Sequence, residues 1–133
     1  MKYVRLGTSG IKISKIILGC MTYGSPEWQS WVLPEEEGIK HIKAAYDAGI
    51  NAFDTANTYS NGLSEVTLGK AIKQHNMDRD KIVVLTKLYF AVGKTTDALV
   101  MGKPKEELDA VGYVNERGLS RKACFSFISL LLL

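Results

Sequence analysis

Apolar and polar residues alternate through Tyr3-Val4-Arg5-Leu6 and again through Ile11-Lys12-Ile13, with Gly7-Thr8-Ser9-Gly10 between them. This pattern predicts a small antiparallel hairpin with glycine at the turn. Ile16-Ile17-Leu18 is a short unbroken apolar run, the form of a strand buried on both faces of a parallel sheet. Past Pro34 the period lengthens: Ile39, Ile42, Ala45 and Tyr46 fall on one helical face. Pro34 and the acidic run Glu35-Glu36-Glu37 mark the start of that helix, and Gly49 ends it. Ala52-Phe53 then reads as a buried strand with Asp54 where it runs out.

The next helix is predicted from Ser64 as a cap and Glu65 in the first turn, with Leu68, Ala71 and Ile72 facing inward and Asn76 closing it. Lys81-Ile82-Val83-Val84-Leu85-Thr86-Lys87 is a further strand. Hairpin, β, α, β, α, β is the order of a parallel sheet with right-handed crossovers. Periodicity fades over residues 88–119, where Gly93, Gly102, Pro104, Gly112 and Gly118 predict a long loop. Ser120-Arg121-Lys122 looks like a new helix start. The stretch 123–133 then has no charge and no polar helical face.

Composition narrows the class without naming it. The 133 residues make one domain by length, 46% hydrophobic and 23% charged, which is globular. A net charge of +3, with no block of Lys or Arg, argues against a nucleic-acid partner. Cys20 and Cys124 are far apart and show no metal-ligand spacing, so reduced thiols in the cytoplasm are expected. Ile17-Leu18-Gly19-Cys20 looks like a lipoprotein cleavage box, but Arg5, Lys12 and Lys15 break the apolar run such a signal needs. The apolar tail is about half the length of a bilayer span, so no membrane role is expected.

Chemistry concentrates at Asp54, Tyr59 and Lys87. A carboxylate at the C-terminal end of a parallel strand, a phenol in the loop above it and a lysine ending the neighbouring strand are how a βα-barrel builds a catalytic face. Ends of neighbouring strands lie roughly 5 Å apart, so Asp54 and Lys87 are within reach of each other. Each residue alone also fits an ion pair or a packed aromatic. Gly19, followed by Cys20-Met21, either lets a ligand approach the backbone or only turns the chain. Trp28 and Trp31 line a substrate mouth or anchor a loop.

These residues sit in longer matching stretches. Leu6-Gly7-Thr8-Ser9-Gly10 goes with Ile16-Ile17-Leu18-Gly19, Phe53-Asp54-Thr55-Ala56 with Tyr59-Ser60-Asn61-Gly62, and Ser64-Glu65 with Leu68-Gly69; Arg79 to Lys87 follows. Together they resemble the N-terminal portion of the aldo-keto reductase family, in the style of its aryl-alcohol dehydrogenase-like and potassium-channel β-subunit-like branch. The resemblance implies an α/β fold, the N-terminal part of a (β/α)8 TIM barrel, and reduction of an aldehyde or ketone using NADP(H). In that frame Tyr59 is the general acid, Lys87 assists it, and Asp54 holds Lys87 charged and in place. A free phenol titrates near 10, and a neighbouring ammonium favours its anionic form. Gly19, Cys20, Met21 and Asp54 would lie beside the cofactor, with a small carbonyl compound as substrate and no protein partner identifiable.

The resemblance covers residues 1–122 and stops at Lys122, leaving 123–133 as an apolar tail foreign to the family. A barrel of this kind has eight strands and commonly about 250 residues. The histidine that relatives carry at the end of the fourth strand has no match, since His41 and His75 fall in helices. A truncated, inactive form is therefore expected. A non-catalytic remnant, or a binding module like the channel β subunits, stands as the alternative.

Overall fold

A computed structural model describes the backbone of residues 1–131 and the side chains of residues 1–126. Strands β1 (Tyr3–Arg5) and β2 (Lys12–Ser14) form the antiparallel hairpin, in register Val4 to Ile13. Three parallel strands follow: β3 (Leu18–Gly19), β6 (Ala52–Asp54) and β7 (Val83–Leu85), with β6 in the middle. Between β3 and β6 lie the short parallel pair β4 (Tyr23–Gly24) and β5 (Leu33–Pro34), then helix α1 (Glu35–Asp47). Helix α2 (Leu63–Gln74) connects β6 to β7.

The helices form where their signals predict. Pro34 is extended at the N-cap of α1, three glutamates fill its first turn, and Gly49 takes a left-handed φ of 90° beyond its C-cap. The apolar faces of α1 and α2 bury Ile39, Ile42, Leu68 and Ala71 against Phe53 and Ile82 of the sheet side. Phe53 and Ile42 are fully buried, each worth about 1.5–3 kcal/mol relative to exposure. Gly38 lets α1 approach β4 and α2 closely. A Cβ there would lie 2.9 Å from both Tyr23 Cβ and Thr67 Cγ2.

Four expectations are revised. Ile16 and Ile17 are outside β3 and are 59% and 40% exposed. The Ser14 hydroxyl donates to Ile16 O at 2.6 Å, turning the chain there, and β3 has a strand neighbour on one side only. Ser64 is not the cap of α2. The left-handed Gly62 holds that position, and the buried Ser64 hydroxyl donates to Cys20 O at 2.7 Å. Residues 88–119 are not all loop: α3 (Lys105–Ala110) follows Pro104, and Leu108 packs with Ala91 and Tyr113 in a second small core. The signal repeats the one at α1, proline and then Glu106-Glu107, but six residues carry too little periodicity to announce it. Finally, the apolar stretch after Lys122 does form helix: α4 runs Arg121–Leu131, and Ser120 Oγ accepts from Ala123 N at 3.1 Å. The last two leucines of that tail lie outside the described residues.

Candidate active site

The C-terminal ends of β3, β6 and β7 bring the predicted residues together. Register pairs Gly19 with Asp54 and Asp54 with Leu85, so the carboxylate stands on the middle strand. Lys87, two residues past Leu85, donates to Asp54 Oδ2 at 2.6 Å and to Thr55 O at 2.8 Å. Its Nζ lies 4.8 Å from the centroid of the Tyr59 ring, within the range of a cation–π contact. Burial works against the lysine charge, but its hydrogen bond and charge attraction to Asp54, together with the interaction with Tyr59, outweigh it, and the Lys87 pKa lies above the ordinary lysine value. The ammonium is therefore held charged throughout the neutral range.

The backbone beneath is locked by a polar lattice. Thr55 N donates to Leu85 O at 2.8 Å and Asn57 N to Lys87 O at 3.1 Å, carrying the strand pairing one step past the strands. The buried hydroxyls of Thr55 and Ser64 are 2.9 Å apart. Thr86 Oγ1 donates to Glu65 Oε1 at 2.5 Å. Burial raises the Glu65 pKa and the Thr86 bond opposes that rise.

Gly19, Cys20 and Met21 divide by face. Gly19 is exposed beside Asp54, with nothing within 4 Å of where a Cβ would stand. Met21 is also exposed. Cys20 is fully buried; its amide donates to Asp54 O at 2.7 Å, and its thiol points to Leu18 O at 3.7 Å. Burial pushes the thiol up to about 12, the Asp54 charge adds to the rise, and Lys87 opposes it. The surface over Gly19 is open, and the Cys20 side chain takes no part in it.

Tyr59 opens the turn Tyr59–Gly62, in which Ser60 and Asn61 both adopt left-handed φ, 51° and 49°. Such residues cost about 1–3 kcal/mol each and persist only where surroundings hold them. Ser60 Oγ is buried and accepts from Ser25 N at 2.7 Å. Gly24 makes that approach possible: a Cβ there would meet Ser60 Cβ at 2.4 Å. Ser60, Asn61 and Asn57 hold the turn around Tyr59 by long-range bonds that pattern reading missed. Asn61-Gly62 is a turn signal in the sequence, but its long-range bonds have no local trace.

Trp28 is buried and Trp31 is 48% exposed, the rings edge to face at 5.9 Å. One therefore anchors the loop and the other faces outward. His41 stands on α1 with its ring edge-on to Tyr23, and His75 caps α2. Neither belongs to the strand ends that hold Asp54 and Lys87. No helix among the described residues is long and apolar enough to cross a membrane.

Three parallel strand ends with helices between them, and Asp54 paired with Lys87 across two of those ends, define part of a parallel α/β barrel, and similarity to known proteins agrees. The sequence pattern of the Aldo/keto reductase family matches residues 15–117. The chain is 51% identical over 125 residues to versiconal hemiacetal acetate reductase of Aspergillus parasiticus, covering 92% of this chain and 35% of that protein. It is 45% identical over 123 residues to a putative aryl-alcohol dehydrogenase of Saccharomyces cerevisiae, covering 92% and 36%. An aldo-keto reductase from Bacillus halodurans, solved in its holo form, superposes with a TM-score of 0.59 at 32% identity, over 71% of this chain and 28% of that one. The chain belongs to the aldo/keto reductase family. It spans about a third of the length of the curated relatives it matches, and its three parallel strands are the front part of a (β/α)8 barrel.

Proposed function

We propose that this chain carries the proton-delivering half of an NADPH-dependent reduction of an aldehyde or ketone to an alcohol. The observation that carries the reading is the 2.6 Å Lys87–Asp54 pair at adjacent parallel strand ends, with the Tyr59 ring 4.8 Å from the ammonium. NADPH, when bound, supplies the hydride. Tyr59 gives its phenolic proton to the carbonyl oxygen as negative charge develops there. Lys87 stabilises the phenolate left behind, and Asp54 fixes the lysine by charge and hydrogen bond. The open backbone at Gly19, with Met21 beside it and Cys20 holding the turn from below, forms the floor against which a nicotinamide ring would rest. The rings of Tyr89 and Phe90, half exposed just past Lys87, give the carbonyl compound an apolar side to enter by. Free thiols at Cys20 and Cys124 support a cytoplasmic setting.

The test is carbonyl-dependent NADPH oxidation by the purified chain and by Tyr59→Phe. Where the wild-type chain turns over, loss of the phenol is expected to cut turnover by roughly 100- to 10,000-fold, with NADPH binding retained in a fluorescence titration; a wild-type chain that binds NADPH without turnover supports the truncated, inactive form. Equal turnover in Tyr59→Phe removes Tyr59 from the role. Absence of NADPH binding to the wild-type chain supports the non-catalytic reading instead.

A further inference from the structure

The segment after Lys87 converges on a single side chain. Asn61 Nδ2 donates to Thr95 O and Ala98 O, each at 2.8 Å, and more weakly to Thr96 O at 3.3 Å. Its Oδ1 accepts from Gly93 N at 3.0 Å. A carboxamide has two N–H donors and one carbonyl oxygen, so both ends of Asn61 are engaged by one loop. The fit is close: a Cβ on Gly93 would lie 2.6 Å from Asn61 Nδ2 and 2.8 Å from Ala98 Cβ. Asn61 is in the left-handed region, two residues past Tyr59. A pair of left-handed non-glycine residues needs outside bonds to hold it.

Those bonds come from two sides. Ser60 is fastened to Ser25, and Asn61 to residues 93–98. The two anchors are tied to each other as well, because the Thr96 hydroxyl donates to the Glu27 carboxylate. A second strut, Asn57 Nδ2 to Phe90 O at 3.3 Å, joins the same loop to the segment just before Tyr59. The loop is thus bonded on both flanks of the tyrosine while containing none of the proposed reacting groups.

We propose that Asn61 is a positioning residue for Tyr59: its carboxamide clamps residues 93–98 onto the left-handed turn, and this clamp sets where the phenol stands relative to Lys87. The importance of that placement rests on the reading of Tyr59 as proton donor; the clamp itself does not.

Three variants test it. Asn61→Gly keeps the left-handed backbone without cost and deletes the carboxamide. Asn61→Asp keeps an acceptor for Gly93 N and sets an anion against three carbonyls. Gly93→Ala disturbs the clamp from the loop side and leaves Asn61 intact, so a folding defect in either Asn61 variant does not stop the test. The readouts are amide exchange at Gly93 and the Tyr59 ring resonance in ring-labelled protein, assigned by its loss in Tyr59→Phe. Gly93 exchange is expected to accelerate at least about 10-fold in Asn61→Gly, which loses its acceptor, with the Tyr59 resonance moved or broadened in all three. Where the wild type turns over, kcat is expected to fall about 10-fold or more with KM for NADPH unchanged. Unchanged Gly93 exchange in Asn61→Gly overturns the clamp. A released loop with an unmoved Tyr59 resonance overturns the positioning role. A wild-type chain that reduces no carbonyl sinks the reductase reading alone, since exchange and resonance still decide the clamp.

Discussion

Lys87 Nζ lies 2.6 Å from Asp54 Oδ2 because of strand register. Asp54 is paired with Leu85, and Lys87 comes two residues later, where the pleat returns side chains to the same face. The lysine then reaches back to the middle strand and takes Thr55 O as a second acceptor at 2.8 Å. A one-residue slip in β7 would send Lys87 to the other face.

This pair is expected to matter for chemistry more than for stability. Its side chains are 50% and 34% exposed, and pairs of that kind contribute about 0–1 kcal/mol. Asp54→Asn should therefore shift urea unfolding at pH 7 little while lowering carbonyl turnover by about 10-fold or more. The folded-state pKa of Lys87 is raised, so its stabilising share is full below the unfolded lysine value and is lost as pH rises through the folded one. The alkaline fall in turnover should begin at lower pH in Asp54→Asn. An alkaline limb that does not move removes Asp54 as the support of that charge.

The two thiols should differ sharply. Cys20 is fully buried with its pKa pushed up to about 12, while Cys124 is partly exposed. The thiolate is the reactive form, so at pH 8 an aromatic disulfide reagent should titrate one thiol in the native chain and a second only in denaturant. Cys124→Ser should abolish the native reaction. The sign for stability follows. An unfolded chain releases the Cys20 proton from about pH 9, while the folded chain keeps it to about pH 12. Stability should thus decline over that interval, and less steeply in Cys20→Ala.

The parts legible in the sequence are those where short-range pattern and long-range structure coincide. The run from Pro34 to Gly49 contains its cap, acidic first turn, apolar stripe and terminating glycine, and α1 forms there. Asp54 and Lys87 were readable as neighbours because both stand at strand ends, which alternation of elements locates. Ile16 and Ile17 misled because an apolar run does not state how many neighbours a strand has. The clamp at Asn61 was not readable: its partners lie 32 to 37 residues away, and only the fold brings Gly93 and Ala98 to it. Gly19, Cys20 and Met21 alternate exposed, buried and exposed, as an extended chain does, so the three cannot all present their side chains to one ligand.

Gly38→Ala sets two effects against each other. Alanine favours a helix interior by about 1 kcal/mol over glycine, and α1 should gain by that amount if space allowed. The added Cβ would meet Tyr23 Cβ and Thr67 Cγ2 at 2.9 Å. Neither is the free end of a flexible chain, and both residues are buried. Overpacking of this kind costs about 1–3 kcal/mol, so the variant is expected to lower the midpoint of thermal unfolding. A raised midpoint would show that α1 moves off β4 without penalty.

The second core should fail on its own. Leu108 of α3 packs with Ala91, Tyr113 and Val100 in a cluster separate from the one beneath α1 and α2. Its other supports are polar: Arg117 donates to Asp109 at 2.5 Å, and Lys94 Nζ stands 4.9 Å from the Tyr113 ring centroid. Truncating a buried leucine costs about 2–5 kcal/mol. A cluster this small has little else to absorb that loss, whereas Phe53, Ile42 and Leu68 keep all their neighbours. Leu108→Ala should therefore speed limited proteolysis within residues 94–117 by about 10-fold or more, by local opening, and leave the main unfolding transition nearly in place. A main transition that falls together with the loop would mean that the two clusters unfold as one unit, with the Asn61 bonds to residues 93–98 as the physical link between them.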